Sequence, residues 1–178
     1  MKRLMLVFVL LMVHGCGKSE DKIKGYLASG KSLYEKGNFD KAKIEFKNVI
    51  QLDAKQADPY YYLALIDEKN QNWQGMFANL TQVTRLDPKN NEAFLKLGRL
   101  NILSGRVDET LKNVEAVLKN DADSPDALAL KGAVFIKNGN LDGAMTLADR
   151  ILKQHPDHTD AVSLKTVIYL SKNDNKAA

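Results

Sequence analysis

Apolar residues recur at spacings of three and four along most of the chain, the interval that collects them on one face of an α-helix. The apolar stretches have helical length, and turn signals cut them at Gly37-Asn38-Phe39, Gln71-Asn72-Trp73, Gly105-Arg106-Val107 and Gly139-Asn140-Leu141. Gly or Asn at such a point supplies the left-handed residue that closes one helix, and the apolar residue after it is expected to bury where the next begins. No run alternates apolar and polar as a half-buried strand would. The pattern predicts pairs of helices joined by tight turns.

The pairs are copies of one another. Four segments align without a gap at 34 residues, 23–56, 57–90, 91–124 and 125–158, and a fifth begins at 159 and stops after its first helix. A packing position recurs near the start of each first helix at Tyr26, Tyr60, Phe94, Leu128 and Val162. Four residues on, Gly30, Ala64, Gly98 and Gly132 are small enough for close helix approach. In the second helices Ala42, Met76, Thr110 and Ala144 precede Phe46, Leu80, Val114 and Ala148, followed by Val49, Val83, Val117 and Ile151. These spacings give each helix one apolar stripe. Repeats end in Leu52-Asp53-Ala54, Leu86-Asp87-Pro88, Asn120-Asp121-Ala122 and Gln154-His155-Pro156, where a Pro cannot continue a helix.

With these residues the chain resembles the tetratricopeptide-repeat (TPR) family, whose repeats read W-x2-L-G…A-x3-F. Tyr26, Gly30, Ala42 and Phe46 match that frame in the first repeat, and Phe94, Leu97 and Gly98 match it in the third. Ser29 and Lys131 replace the usual Leu, and Met76 and Thr110 the usual Ala, without disturbing the period. The resemblance implies an all-α solenoid of four helix–turn–helix repeats plus a C-terminal helix, wound as a right-handed superhelix. Residues 159–178 are read either as a solvating capping helix or, preferred, as the start of a truncated fifth repeat.

The N-terminus follows a different logic. Lys2 and Arg3 precede an unbroken apolar run of ten residues, LMLVFVLLMV, a signal-peptide core too short to span a bilayer comfortably. It ends in Val13-His14-Gly15-Cys16, and Cys16 is the only cysteine, so no internal disulfide can form. This stretch resembles a bacterial lipobox, with residues 1–15 as the signal peptide, Cys16 as the lipidated residue and 16–22 as a polar tether. His14 departs from the usual small residue. An ordinary secretory signal with a free thiol is the alternative. Gly17, where an Asp would favour inner-membrane retention, points to an outer-membrane lipoprotein facing the periplasm.

Charge adds little. The formal net charge is +4, and without Lys2 and Arg3 there are 24 basic against 22 acidic residues. That balance lacks the basic face of a nucleic-acid binder. Catalytic chemistry is equally thin. His155 and His158 stand in one inter-repeat turn, HPDH, with no third ligand nearby, and read as turn residues. No phosphate loop, triad, cofactor, metal or small-molecule substrate is expected. The sequon Asn79-Leu80-Thr81 lies within a second helix and is discounted.

The family resemblance implies a groove lined by the first helices, where a peptide or partner protein binds. Carried over, its positions are Lys31 and Tyr34 in repeat 1, Tyr61, Tyr62 and Leu65 in repeat 2, and Lys96 and Arg99 in repeat 3. Aromatics beside cations suit a segment with apolar and acidic groups. The two-carboxylate clamp of chaperone-binding relatives is absent, because its Lys and Asn positions hold Leu27 and Lys31. The segment LASGKSLYEKGNFDKAKIEFKNVIQLD is similar to the start of TPR lipoproteins of PEP-CTERM/exosortase systems. That similarity implies an adaptor for secretion or exopolysaccharide and protein sorting. A pilotin-like lipoprotein for secretin or pilus assembly is the other reading, and a metal scavenger using His155 and His158 the rival class.

Overall fold

The computed structural model describes residues 14–172, with side chains from 19 onward. Among them every regular element is helical: α1 (His14–Glu35), α2 (Phe39–Leu52), α3 (Ala57–Lys69), α4 (Trp73–Leu86), α5 (Asn91–Leu103), α6 (Val107–Asn120), α7 (Pro125–Lys137), α8 (Leu141–Gln154) and α9 (Thr159–Ser171). Along the chain, α1, α3, α5, α7 and α9 take the places of first helices and the others those of second helices. Residues 1–13 of the signal peptide read as 1–15, and residues 173–178 of the segment read as 159–178, lie outside the described residues. The polar stretch 17–21 continues helically within α1, and Lys24 pairs with Glu20 at 3.0 Å, one turn apart.

The turns form as their residues dictate. Gly37, Gly105 and Gly139 have φ of 73°, 74° and 76°, and Gln71 holds the same place at 55°. Each helix then closes with a pair of backbone hydrogen bonds, as where Gly37 N–H reaches Tyr34 O at 2.9 Å and Asn38 N–H reaches Leu33 O at 2.8 Å. This pairing satisfies carbonyls that the helix end leaves without partners. At the other ends, Asn90 and Asn140 accept from Ala93 and Gly143 N–H at 3.0 and 2.9 Å. His158 Nδ1 accepts from Ala161 N–H at 3.3 Å, so the HPDH turn uses it as a helix cap.

The chain forms two compact units, Met1–Leu86 and Asp87–Ala178. In the first, Ala42, Phe46, Leu63 and Ile66 form a buried cluster, and Tyr34, Phe39 and Tyr62 pack on it. In the second, Leu128, Ala129, Ala148, Ile151, Ala161 and Leu164 do the same. The second-helix stripe buries as predicted, including Met76 and Thr110, whose hydroxyl donates to Arg106 O at 2.8 Å. The small residues act as notches. A Cβ built on Gly30 would lie 2.7 Å from Phe46 Cε1, and one on Gly98 2.7 Å from Leu130 Cδ2. On Gly132 it would meet Leu164 Cδ1 at 2.6 Å.

Two expected core positions stay out. Trp73, predicted to bury at the start of α4, is 53% exposed, and Val162 on α9 is 48% exposed. The departures from the family pattern find local uses: Ser29 Oγ donates to Glu45 Oε1 at 3.3 Å, and Lys131 Nζ lies 5.9 Å from the Phe135 ring centre.

Candidate functional site

In the unit Met1–Leu86 the expected groove residues gather around one ring. Tyr62 stacks on Phe46 with centroids 4.9 Å apart, and Tyr34 and Tyr61 meet it edge-on at 5.4 and 6.2 Å. Lys31 Nζ stands 5.4 Å from the centre of that ring. Tyr62 is therefore largely packing, its face spent on Phe46. Leu65 is half-buried on α3, one turn beyond Tyr61. Lys31 is also engaged: its ammonium donates to Asp58 Oδ2 at 2.7 Å, and that hydrogen bond raises its pKa.

The unit Asp87–Ala178 treats Arg99 the same way. Its Nη2 donates to Asp126 Oδ1 at 2.8 Å and to Asp160 Oδ2 at 2.9 Å. Burial works against the charged guanidinium, but the hydrogen bond and charge of Asp160, then those of Asp126, outweigh it and raise its pKa. Lys96 is half-buried one turn before Arg99 on α5. Two of the three groove cations, Lys31 and Arg99, thus already hold carboxylates of their own chain. Asp58 and Asp126, at matching positions two repeats apart, supply them.

What lies open instead is apolar. Helices α5, α7 and α9 form a groove of about 420 Å³, floored by Leu130, Ala133, Ile136 and Leu164 and edged by Leu103 and Val167. Leu103 is 84% exposed, a large aliphatic side chain that no core accounts for. Arg99 and Asp160 stand on this rim. The sequence did carry a signal for the rest. Ile102 and Ile136, Leu130 and Leu164, and Ala133 and Val167 are each one 34-residue period apart, apolar positions outside the family's packing frame.

A polar network in the first unit was not foreseen. Asp67, 4% exposed, accepts from Asn72 Nδ2 at 3.0 Å and Asn79 Nδ2 at 2.8 Å, with Lys43 Nζ at 3.7 Å. It ties α3 to α4 and leaves the sequon's Asn79 amide engaged. Among the described residues no three His, Cys, Asp or Glu side chains come together as a metal site. Nor is any described helix long and apolar enough to cross a membrane.

The tetratricopeptide-repeat family model matches residues 102–168, which hold most of the groove. Similar solved structures extend the likeness. YrrB, described as a TPR protein with an unusual peptide-binding site, superposes with a TM-score of 0.72 at 19% identity, over 84% of this chain and 77% of its own. MamA gives a TM-score of 0.75 at 19% identity, over 89% and 86%. MamA residues 41 to the end from Desulfovibrio magneticus RS-1 gives 0.75 at 17%, over 88% and 89%. The fold is that of tetratricopeptide-repeat proteins. No curated protein matches the chain in sequence. The groove is lined by residues of the first helices α5, α7 and α9.

Proposed function

We propose that this chain is a non-catalytic binding scaffold that takes a peptide or a segment of a partner protein in the apolar groove of residues 87–178. The observation that carries the reading is the exposure of Leu103 over an apolar floor of Leu130 and Leu164. Hydrophobic anchors in open apolar pockets supply most of the energy of peptide recognition. The peptide-binding site attributed to YrrB supports the same use of a similar fold. Random peptides displayed on phage and selected on the chain test it. Selected peptides are expected to lose binding to Leu103→Asp and keep it to Tyr61→Ala; peptides indifferent to Leu103→Asp overturn the groove.

The finer setting rests on the N-terminal sequence. The run LMLVFVLLMV ending at Gly15-Cys16 supports a lipoprotein anchored through Cys16, in the outer membrane and facing the periplasm, serving secretion or the sorting of exopolysaccharide and protein. Labelling of growing bacteria with a fatty-acid analogue should tag the wild-type chain and not Cys16→Ser; equal labelling of both removes the anchor.

A further inference from the structure

We infer that the groove of residues 87–178 is matched to a segment with unlike ends, aliphatic in the middle, basic on one flank and acidic on the other. The inference deepens the reading of this groove as a binding site and depends on it. The floor selects aliphatic side chains because it offers no unsatisfied polar group to hold anything else. Its two ends differ in sign.

At one end the N-termini of α7 and α9 bring Asp126, Asp157 and Asp160 around Arg99 and His158 in a hollow of about 340 Å³. Three carboxylates face one guanidinium, a surplus of two negative charges with the imidazole neutral and one if it is protonated. Asp126 and Asp160 hold Arg99 yet keep 44% and 50% of their side chains open to solvent. His158 Nε2 lies 3.9 Å from Asp126 Oδ1. At the other end Lys137 closes α7 on the groove wall and, among the described residues, forms no ion pair. A carboxylate near a helix start and a lysine near its end each suit the helix dipole. Asp160 at the start of α9 and Lys137 at the end of α7 both line the groove, which gives each a second use.

Helix α7 runs along the groove through Ala129, Ala133 and Ile136, so its length measures the distance between the ends. Asp126 and Lys137 are 11 positions apart. At a rise of 1.5 Å per residue that is about 16 Å along the axis. An extended segment covers about 16 Å in five residue steps, with alternate side chains on the groove side. The chemistry therefore fits a six-residue stretch with Lys or Arg at one end, Asp or Glu at the other and aliphatic residues between.

The test is an NMR titration of the full chain with three synthetic peptides: Lys-Leu-Ser-Leu-Ser-Asp, the same residues in reverse order, and Gln-Leu-Ser-Leu-Ser-Asn. Two solvent-exposed charge pairs of typical strength should make the better charged peptide about fivefold tighter than the neutral one. That advantage should shrink in high salt and fall to about twofold in Lys137→Gln, which removes one of the two pairs. Equal affinity for charged and neutral peptides, with all binding lost in Leu103→Asp, overturns the charge matching and leaves the groove standing. Absence of binding by all three, or binding that ignores Leu103→Asp, overturns both.

Discussion

Arg99 on α5 and Asp160 on α9 are 61 residues apart in sequence and meet at 2.9 Å. The same guanidinium nitrogen also reaches Asp126 of α7 at 2.8 Å, so one side chain ties three successive first helices together along the groove rim.

Removing this tie should loosen that rim. Arg99→Ala leaves two carboxylates facing each other without their cation. Because all three side chains are about half exposed, the expected loss is only about 1 kcal/mol in chemical denaturation. Amide exchange in the first turn of α9 should quicken more than in α6, which the tie does not touch. Uniform quickening would mean that Arg99 merely adds general stability.

Gln71 occupies a backbone conformation that glycine fills in the other three turns, with φ of 55° against 73° to 76°. A left-handed residue with a Cβ costs roughly 1–2 kcal/mol, partly offset by the greater freedom glycine has when unfolded. Gln71→Gly should therefore stabilise the chain by about 0.5–1 kcal/mol, and Gly105→Gln should destabilise it by a similar amount. Thermal melts of the two variants moving in the same direction would contradict this.

Gly98 and Gly25 make opposite predictions for one substitution. Gly98→Ala drives a methyl to 2.7 Å from Leu130 Cδ2, whereas nothing lies within 4 Å of a Cβ on Gly25. The first should cost about 1–3 kcal/mol through overpacking. The second should gain about 0.5–1 kcal/mol from helix propensity. Urea midpoints for the pair give the comparison directly.

Asp67→Ala strips two amide donors of their acceptor inside the first unit. The expected cost is about 1 kcal/mol, since half-buried Asn79 loses its partner while exposed Asn72 can turn to water. Asp67→Asn, which keeps one oxygen, should recover part of it. A variant as stable as wild type would show that Asn72 and Asn79 find water instead.

Much of this was legible in the sequence because local chemistry fixes it. The 34-residue period placed every described turn, and Gly37, Gly105 and Gly139 announced their left-handed backbones. The small-residue positions announced the helix notches. The misplaced residues were those decided by neighbours far along the chain. Trp73 shares its repeat position with Phe39, Val107 and Leu141, all partly buried, and its own exposure could not be read from that shared position. Lys31 and Arg99 looked available because their acidic partners lie at least 27 residues away and arrive only when successive repeats stack. The apolar groove was missed for a different reason: Leu130, Leu164, Ala133, Val167, Ile102 and Ile136 lie whole 34-residue periods from Lys96, Arg99 and Tyr34, and the groove positions were carried only as far as the third repeat.

Leu130 and Leu164 fill the notches at Gly98 and Gly132 and also floor the groove. Whatever occupies the groove presses on the same two side chains that set the spacing of α5, α7 and α9. Occupancy and resistance to unfolding must then rise together, because a ligand bound only to the folded form adds its binding free energy to that of folding. The melting temperature of the chain is thus a label-free reporter of groove occupancy, usable before anything is known of a ligand's sequence.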